Sequence, residues 1–160
     1  MLLRKRGEME EVGLLDDIYM KQAILLGKNA KGKTGDNPYV GCIIVKDGKV
    51  LGEGCTSPPG GPHAEVMALM DAEQRGEPVI GATLYSTVEP CSFYGRTPAC
   101  AKIIIERKIA RVVVGIRDPH PRVNGAGIQM LQTAGIEVKE NVCQEAVRVY
   151  LIDWLNTYEN

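Results

Sequence analysis

Three observations predict a three-layer α/β/α sandwich with a mixed five-stranded sheet. Apolar residues alternate between helical and strand periods along the chain. Near the start, two β-rich runs are joined by Asp47-Gly48, a hairpin signal that makes one end of the sheet antiparallel. The later strands are separated by helix-length segments, the pattern of parallel crossover connections.

The elements follow in order. Tyr19, Met20, Ala23, Ile24 and Leu25 recur at helical spacing behind an acidic first turn, which predicts a helix over 17–28. A Gly/Lys-rich stretch leads to Val40-Gly41-Cys42-Ile43-Ile44-Val45, the turn, and the return run Val50-Leu51-Gly52-Glu53-Gly54. Ser57-Pro58-Pro59-Gly60-Gly61-Pro62 is a loop by composition. A helix is expected over 63–74, with Val66, Met67, Leu69 and Met70 available for a buried stripe, then a strand over 82–88 and a helix over 98–108. Arg111 to Ile116 carries a continuous Val112-Val113-Val114 run, which suits a strand covered on both faces. A helix over 125–133, a strand over 136–138 and one amphipathic helix over 141–158 complete the chain. Residues 1–16 are expected to be an N-terminal extension and 17–160 the domain.

Composition limits the function. The 160 residues carry 19 Lys+Arg against 20 Asp+Glu, a formal charge of −1, so the basic excess that tracks phosphate backbones is missing. One Trp and one Phe beside six Tyr are too few for a base-stacking platform; nucleic acid is not the expected partner. No apolar run approaches the roughly 18–20 residues of a membrane-spanning helix, and the start shows no signal-peptide pattern, so a cytoplasmic protein is expected. Cys42, Cys55, Cys91, Cys100 and Cys143 are an odd number in a chain large enough to fold without staples, which favours reduced thiols or metal ligands over disulfides.

The chemistry is expected among Cys and His. His63-Ala64-Glu65 opens one expected helix, and Pro90-Cys91, followed by Cys100, leads into the next. One imidazole and two thiolates converging at helix starts form a three-ligand zinc site whose fourth position is left for water, the arrangement of a catalyst; the positive ends of the helices favour thiolate over thiol. Taken singly, a buried Cys is usually a small hydrophobe and His63 a satisfied core or surface histidine. The joint pattern H-x-E with a later P-C and second Cys is the signature of zinc deaminases, in which the metal generates hydroxide near neutral pH and the glutamate, here Glu65, moves protons without ligating. Cys42 reads as a strand core residue and Cys143 as a helix-face residue, while Cys55 carries no assignment.

Over about residues 17–159 the chain resembles the deaminase domain of bacterial riboflavin-biosynthesis proteins. The resemblance rests on Asn37-Pro38-Tyr39-Val40-Gly41-Cys42, Pro62-His63-Ala64-Glu65-Val66, the run from Glu89-Pro90-Cys91 to Ala99-Cys100, the run from Asp118 to Gly127, and Ala134-Gly135-Ile136-Glu137-Val138. Most other members of the cytidine-deaminase superfamily place two residues between the cysteines; this family places eight, with Gly95-Arg96-Thr97-Pro98 among them, as here. The resemblance implies a cytidine-deaminase-like fold, Zn2+ held by His63, Cys91 and Cys100, and Glu65 as proton shuttle. It implies substrate contacts from Asn37 to the pyrimidine ring, from Arg96 and Thr97 to the substrate frame, and from the segment with Asp118 near the ribose phosphate. It also implies a homo-oligomer, a dimer or larger, acting on a small-molecule aminopyrimidine. The family's substrate is a diaminopyrimidinone carrying ribosylamine 5'-phosphate, deaminated to the uracil derivative and ammonia.

Three residues depart from the family pattern: Thr56 and Phe93 stand where histidines are usual, and His120 where asparagine is usual. Each exchanges hydrogen-bonding capacity at a position expected near a polar substrate, so a shifted preference among aminopyrimidines is expected. The chain ends where the family's reductase domain would begin, so reduction of the sugar is not expected of it. A deaminase of another nucleoside, nucleobase or amino-heterocycle, and a non-catalytic zinc-stabilised domain, stand as the alternatives.

Overall fold

A computed structural model describes residues 5–92, 99–121 and 123–158. The chain runs α1 (Arg6–Ala30), β1 (Gly41–Lys46), β2 (Lys49–Cys55), α2 (Ala64–Gln74), β3 (Thr83–Val88), α3 (Cys100–Glu106), β4 (Arg111–Ile116), α4 (Ala126–Thr133), β5 (Glu137–Lys139), α5 (Gln144–Tyr150), α6 (Ile152–Leu155) and a closing 3-10 turn, Asn156–Tyr158. The sheet order is β2-β1-β3-β4-β5. β1 pairs antiparallel with β2 and β3, while β3, β4 and β5 run parallel. The expected mixed five-stranded sandwich is therefore present. Asp47 and Gly48 both take positive φ, 51° and 76°, the requirement of the two-residue turn that matches strand twist. Among the described residues, no helix is long and apolar enough to cross a membrane.

Strand alternation sorts side chains to the two faces. Tyr85 reaches Asp16 of α1 and Thr87 meets Tyr150 of α5, whereas Ser86 faces Glu65 of α2. α1 and α5 thus cover one side of the sheet, and α2, with its neighbours α3 and α4, covers the other. All six residues of β4 are buried, as its Val run predicts for a strand between two helical layers. Helix α1 lies directly on the start of β1: a Cβ at Gly41 would fall 1.7 Å from the Ala23 carbonyl oxygen, so only glycine fits.

Two elements differ from expectation. α1 begins at Arg6, eleven residues before the expected start at 17, and the Lys5 N–H donates to Glu8 Oε2 (3.4 Å) at its N-terminus. The expected boundary also placed Asp16 outside the domain, yet Asp16 is 1% exposed. The single helix expected over 141–158 is broken into α5, α6 and the 3-10 turn. The Val142 N–H bonds to the Val114 carbonyl, holding that residue to the sheet (3.2 Å), and Asn141 and Cys143 take positive φ, so the helix starts only after them. Leu151, fully buried, then breaks the helical path at φ −98° and ψ 10°.

Asp16 ties three strands to α1. Its two oxygens accept from Arg111 Nη1 (2.8 Å) and Nη2 (2.6 Å), from the Tyr85 hydroxyl (2.7 Å) and from Lys139 Nζ (3.3 Å). Arg111 Nε also donates to Glu137 (2.5 Å). Burial pushes the Asp16 carboxyl up, but these donors outweigh it and hold it below its ordinary range. Removing one partner of a buried pair leaves the other charge uncompensated, so Asp16→Ala is expected to lower unfolding stability by about 3 kcal/mol at pH 7. A folded pKa below the unfolded value makes the contribution of Asp16 full above about pH 4 and lost as pH falls through the folded value. Urea denaturation of both proteins from pH 7 down to 3 should show the gap closing on the acid side.

Candidate metal centre and its cleft

The parallel pair β3 and β4 sets the position of the centre. Beyond Val88 the chain keeps its pairing, with the Glu89 N–H donating to the Ile116 carbonyl (3.0 Å), and then turns through Pro90 to Cys91. The Cys91 carbonyl accepts from Ala101 N–H (3.0 Å) and the Cys91 Sγ from Cys100 N–H (3.2 Å), so the first turn of α3 is seated on Cys91. His63 stands at the N-cap of α2 with extended backbone (φ −72°, ψ 166°) and makes no side-chain cap bond, which leaves its ring to turn toward the thiols. His63 Nδ1 lies 3.2 Å from Cys100 Sγ and 3.8 Å from Cys91 Sγ. The three donor atoms all lie within 4.8 Å of one another, a group able to hold a metal ion.

Glu65 sits in the first turn of α2, 4% exposed, beside Cys100. The Ser86 Oγ is 3.2 Å from Glu65 Oε1 and 2.6 Å from the Val88 carbonyl oxygen. A hydroxyl has one proton, and the shorter contact to the Val88 carbonyl takes the larger share of it, with Glu65 Oε1 as the weaker acceptor. Burial, then the Cys91 charge, pushes the Glu65 carboxyl up, against a smaller pull from His63. The Cys91 thiol is drawn down to about 4 by the Cys100 thiol and His63, while the same pairing and burial beside Glu65 push Cys100 up. His63 is raised, chiefly by its contact with Cys91. The arrangement sets one thiol drawn toward thiolate, a second thiol and an imidazole together, with a buried carboxyl alongside them.

A cleft of about 620 Å³ opens over this group, with His63, Glu65 and Cys91 in its floor. Asn37, Asp118 and His120 line the same cleft. Arg96, Thr97 and Phe93 lie outside the described residues. The Asp118 carboxylate accepts the His120 N–H (2.9 Å), closing the turn between them. Thr56 also borders the cleft, but its hydroxyl accepts the Val40 N–H (2.8 Å), so this departure from the family pattern is engaged in holding the entry to β1.

Sequence reasoning missed four residues. Glu89, 3% exposed, accepts from the backbone N–H groups of Asp118 (3.1 Å), Gly125 (2.8 and 3.1 Å) and Ile128 (3.2 Å). The amide of Gly125, in the segment expected near the ribose phosphate, and that of Ile128 just beyond it are therefore occupied by a carboxylate of the protein itself. Gly127 packs against Pro90 so closely that a Cβ would lie 1.9 Å from the Pro90 carbonyl oxygen. Ser86 is the second. Trp154 and Tyr158, from the broken C-terminal helix, form the far wall of the cleft, their rings 5.4 Å apart and edge-on, with His120 6.4 Å from Tyr158. Only the break at Leu151 aims them there, and no periodicity signals it.

Comparison with known proteins follows the same lines. The family model of the cytidine and deoxycytidylate deaminase zinc-binding region matches residues 15–116. The riboflavin biosynthesis protein RibD of Aquifex aeolicus is 51% identical over 134 residues, which are 84% of this chain and 37% of that protein. A crystal structure of a diaminohydroxyphosphoribosylaminopyrimidine deaminase/5-amino-6-(5-phosphoribosylamino)uracil reductase from Thermotoga maritima superposes with a TM-score of 0.86 at 40% identity, over 92% of this chain and 42% of that one. The apo dCMP deaminase of cyanophage S-TIM5 superposes with a TM-score of 0.63 at 28% identity, over 79% of this chain and 96% of that one. The chain spans less than two fifths of the length of RibD and of the maize riboflavin biosynthesis protein PYRD.

Glu89 joins the metal loop to the cleft wall through backbone amides, so Glu89→Ala leaves three of them without their acceptor. A stability loss of about 2 kcal/mol is expected, together with faster hydrogen exchange confined to the amides of Asp118, Gly125 and Ile128. Glu89→Gln, which keeps one carbonyl acceptor, should fall between. Unchanged exchange at these amides in Glu89→Ala would remove Glu89 from this role.

Proposed function

Because the chain belongs to the cytidine and deoxycytidylate deaminase family, whose zinc-binding region it carries, we propose that it deaminates an aminopyrimidine hydrolytically, with the diaminopyrimidinone bearing ribosylamine 5'-phosphate as its substrate. The observation that carries this reading is the buried Glu65 set beside three metal ligands in the floor of a cleft. The eight residues between Cys91 and Cys100 and the deaminase activity of the Thermotoga maritima relative support the substrate.

His63, Cys91 and Cys100 are the residues that would hold zinc. In a tetrahedral zinc site, with Zn–S near 2.3 Å and Zn–N near 2.0–2.1 Å, a nitrogen and a sulfur ligand lie about 3.6 Å apart, a value bracketed by the 3.2 and 3.8 Å separations here. When bound, zinc supplies the Lewis acidity that makes water a nucleophile near neutral pH. Glu65 takes the proton that this water gives up, delivers it to the ring nitrogen beside the amino-bearing carbon, and then carries the second water proton to the leaving amine. Water and the amine are consumed, and a ring carbonyl and ammonia result. Burial raises the Glu65 carboxyl, which favours its protonated form between these transfers. Ser86 fixes one of its oxygens, leaving the other for proton traffic. Asn37 holds the ring at the mouth, and Trp154 with Tyr158 offers aromatic edges to exclude water from the far side.

His120, bordering the cleft at a position where the family resemblance implies asparagine, favours one second reading, a related amino-heterocycle as substrate. Ammonia release across a panel of the riboflavin intermediate, cytidine, deoxycytidylate and guanine separates the two. The riboflavin intermediate is expected to be turned over best, and preference for another member would reassign the substrate while leaving the reaction class.

Glu65→Gln tests the mechanism. General acid–base work is worth about 10²–10⁴-fold, and ammonia release should fall by that factor with about one zinc per chain retained. Undiminished turnover would exclude Glu65 as the shuttle, and loss of zinc would assign it to holding the metal.

A further inference from the structure

The cleft residue Asn37 is held by its backbone alone. It is exposed, and its side-chain amide makes no hydrogen bond among the described residues. A side chain with no partner of its own takes its direction from the main-chain atoms that carry it, and a binding group displaced by about 1 Å can cost a hundredfold in rate. What fixes the Asn37 backbone therefore bears on the reaction.

Thr34, 1% exposed, meets Asn37 twice. Its hydroxyl donates to the Asn37 carbonyl (2.7 Å), and its own carbonyl accepts the Asn37 N–H (3.1 Å). The two bonds close a four-residue turn, in which Gly35 at the first central position takes φ 61°, a conformation that favours glycine. A Cβ on Gly35 would lie 3.0 Å from Pro59 Cγ, so the turn is seated on the loop that leads to His63. Pro38 follows directly, and the residue before a proline is driven toward extended backbone, which restricts Asn37 from the other side.

The chain beyond Pro38 gives this turn a fixed base. Buried backbone groups must find partners, and here three more hydroxyl side chains supply them. The Tyr39 carbonyl accepts from the Tyr150 hydroxyl (2.9 Å). Val40 gives its N–H to the Thr56 hydroxyl (2.8 Å) and accepts the Thr56 N–H at its carbonyl (3.0 Å). The Gly41 N–H donates to the Thr87 hydroxyl (3.1 Å), which lies 2.8 Å from that of Tyr150. Thr56, Thr87 and Tyr150 are all buried. The strand entry is thus anchored to β2, β3 and α5, and the Thr34 hydroxyl is the one that reaches Asn37 itself.

Resting on the proposed function, in which Asn37 meets the pyrimidine ring, we propose that Thr34 is a positioning residue: its hydroxyl fixes the Asn37 carbonyl and, through it, the direction of the side chain that meets the ring. Thr34 is not among the described residues that line the cleft, whereas Gly35, Asp36 and Asn37 are, so it acts through Asn37 and not on the substrate. Asn37 is exposed, so water can replace the hydroxyl at its carbonyl. Folding then survives the loss of the hydroxyl, and the aim of Asn37 does not.

A double-mutant cycle on the zinc-loaded full chain tests this, with Thr34→Val, Asn37→Ala and the two combined. It is read as kcat/KM for ammonia release from the diaminopyrimidinone substrate and, without turnover, as the Kd of the deaminated product. Thr34→Val keeps the shape of the side chain and should lower kcat/KM by roughly ten- to a hundredfold, with zinc content and circular dichroism unchanged. In the Asn37→Ala background the same change should cost less than about twofold, because the group it aims is gone. Thr34→Ser keeps the hydroxyl and should recover most of the loss. A merely structural Thr34 would cost the same in both backgrounds. That equal loss, a Thr34→Val protein as active as the unmodified one, or a Thr34→Ser protein as impaired as Thr34→Val would overturn the proposal. If the unmodified protein releases no ammonia from this substrate, the proposed reaction falls by itself, and the cycle on product binding still decides the role of Thr34; an unmodified protein that binds no product either overturns both.

Discussion

A carboxylate taken out of water must be met by donors, and at the rim of this sheet Glu89 meets that demand with backbone amides. Its neighbours Pro90 and Cys91 lead into the metal loop, while the amides of Asp118, Gly125 and Ile128 belong to the segment after β4 that carries the cleft residues Asp118 and His120. One side chain thus sets the distance between the ligand group and the residues that border the substrate space. The close contact of Gly127 with the Pro90 carbonyl fixes the same distance sterically. The cleft keeps its shape because these two restraints act on adjacent residues of one strand end.

Buried carboxylates in this fold are separated by their surroundings. Asp16 meets a guanidinium, an ammonium and a phenol and stays charged in a structural role. Glu65 is buried against the Ser86 hydroxyl, the charge of Cys91 and the Cys100 thiol, and is pushed the other way. Two carboxyl groups on opposite faces of β3 are so divided into one that holds the layers together and one that can exchange a proton, the kind of separation that distinguishes structural from acid–base carboxyls.

Much of this was legible in the sequence, for physical reasons. The Asp-Gly turn, the Val run of β4 and the H-x-E and P-C motifs depend on local rules: turn geometry, period and ligand chemistry. His63, Cys91, Cys100 and Glu65 converge because each sits at an element end, and element order is easier to read than element length. The residues that stayed hidden act across long separations. Arg111 lies 95 residues from Asp16, and Glu89 lies 29 to 39 residues from the amides it binds. Trp154 enters the cleft only because the last helix breaks at a buried leucine with neither proline nor glycine to announce it. Thr56 looked like a change in substrate recognition until its bond to the Val40 amide gave it a structural task.

The central claim is that this site holds one zinc ion with three protein ligands and one open position, worked by a carboxyl that does not ligate. X-ray absorption at the zinc edge of the purified protein tests it most directly. The account predicts two sulfur neighbours near 2.3 Å, one imidazole nitrogen near 2.0–2.1 Å and one further light-atom neighbour that exchanges with added anions. A closed shell of four protein ligands, or a site with fewer than two sulfur neighbours, would contradict it.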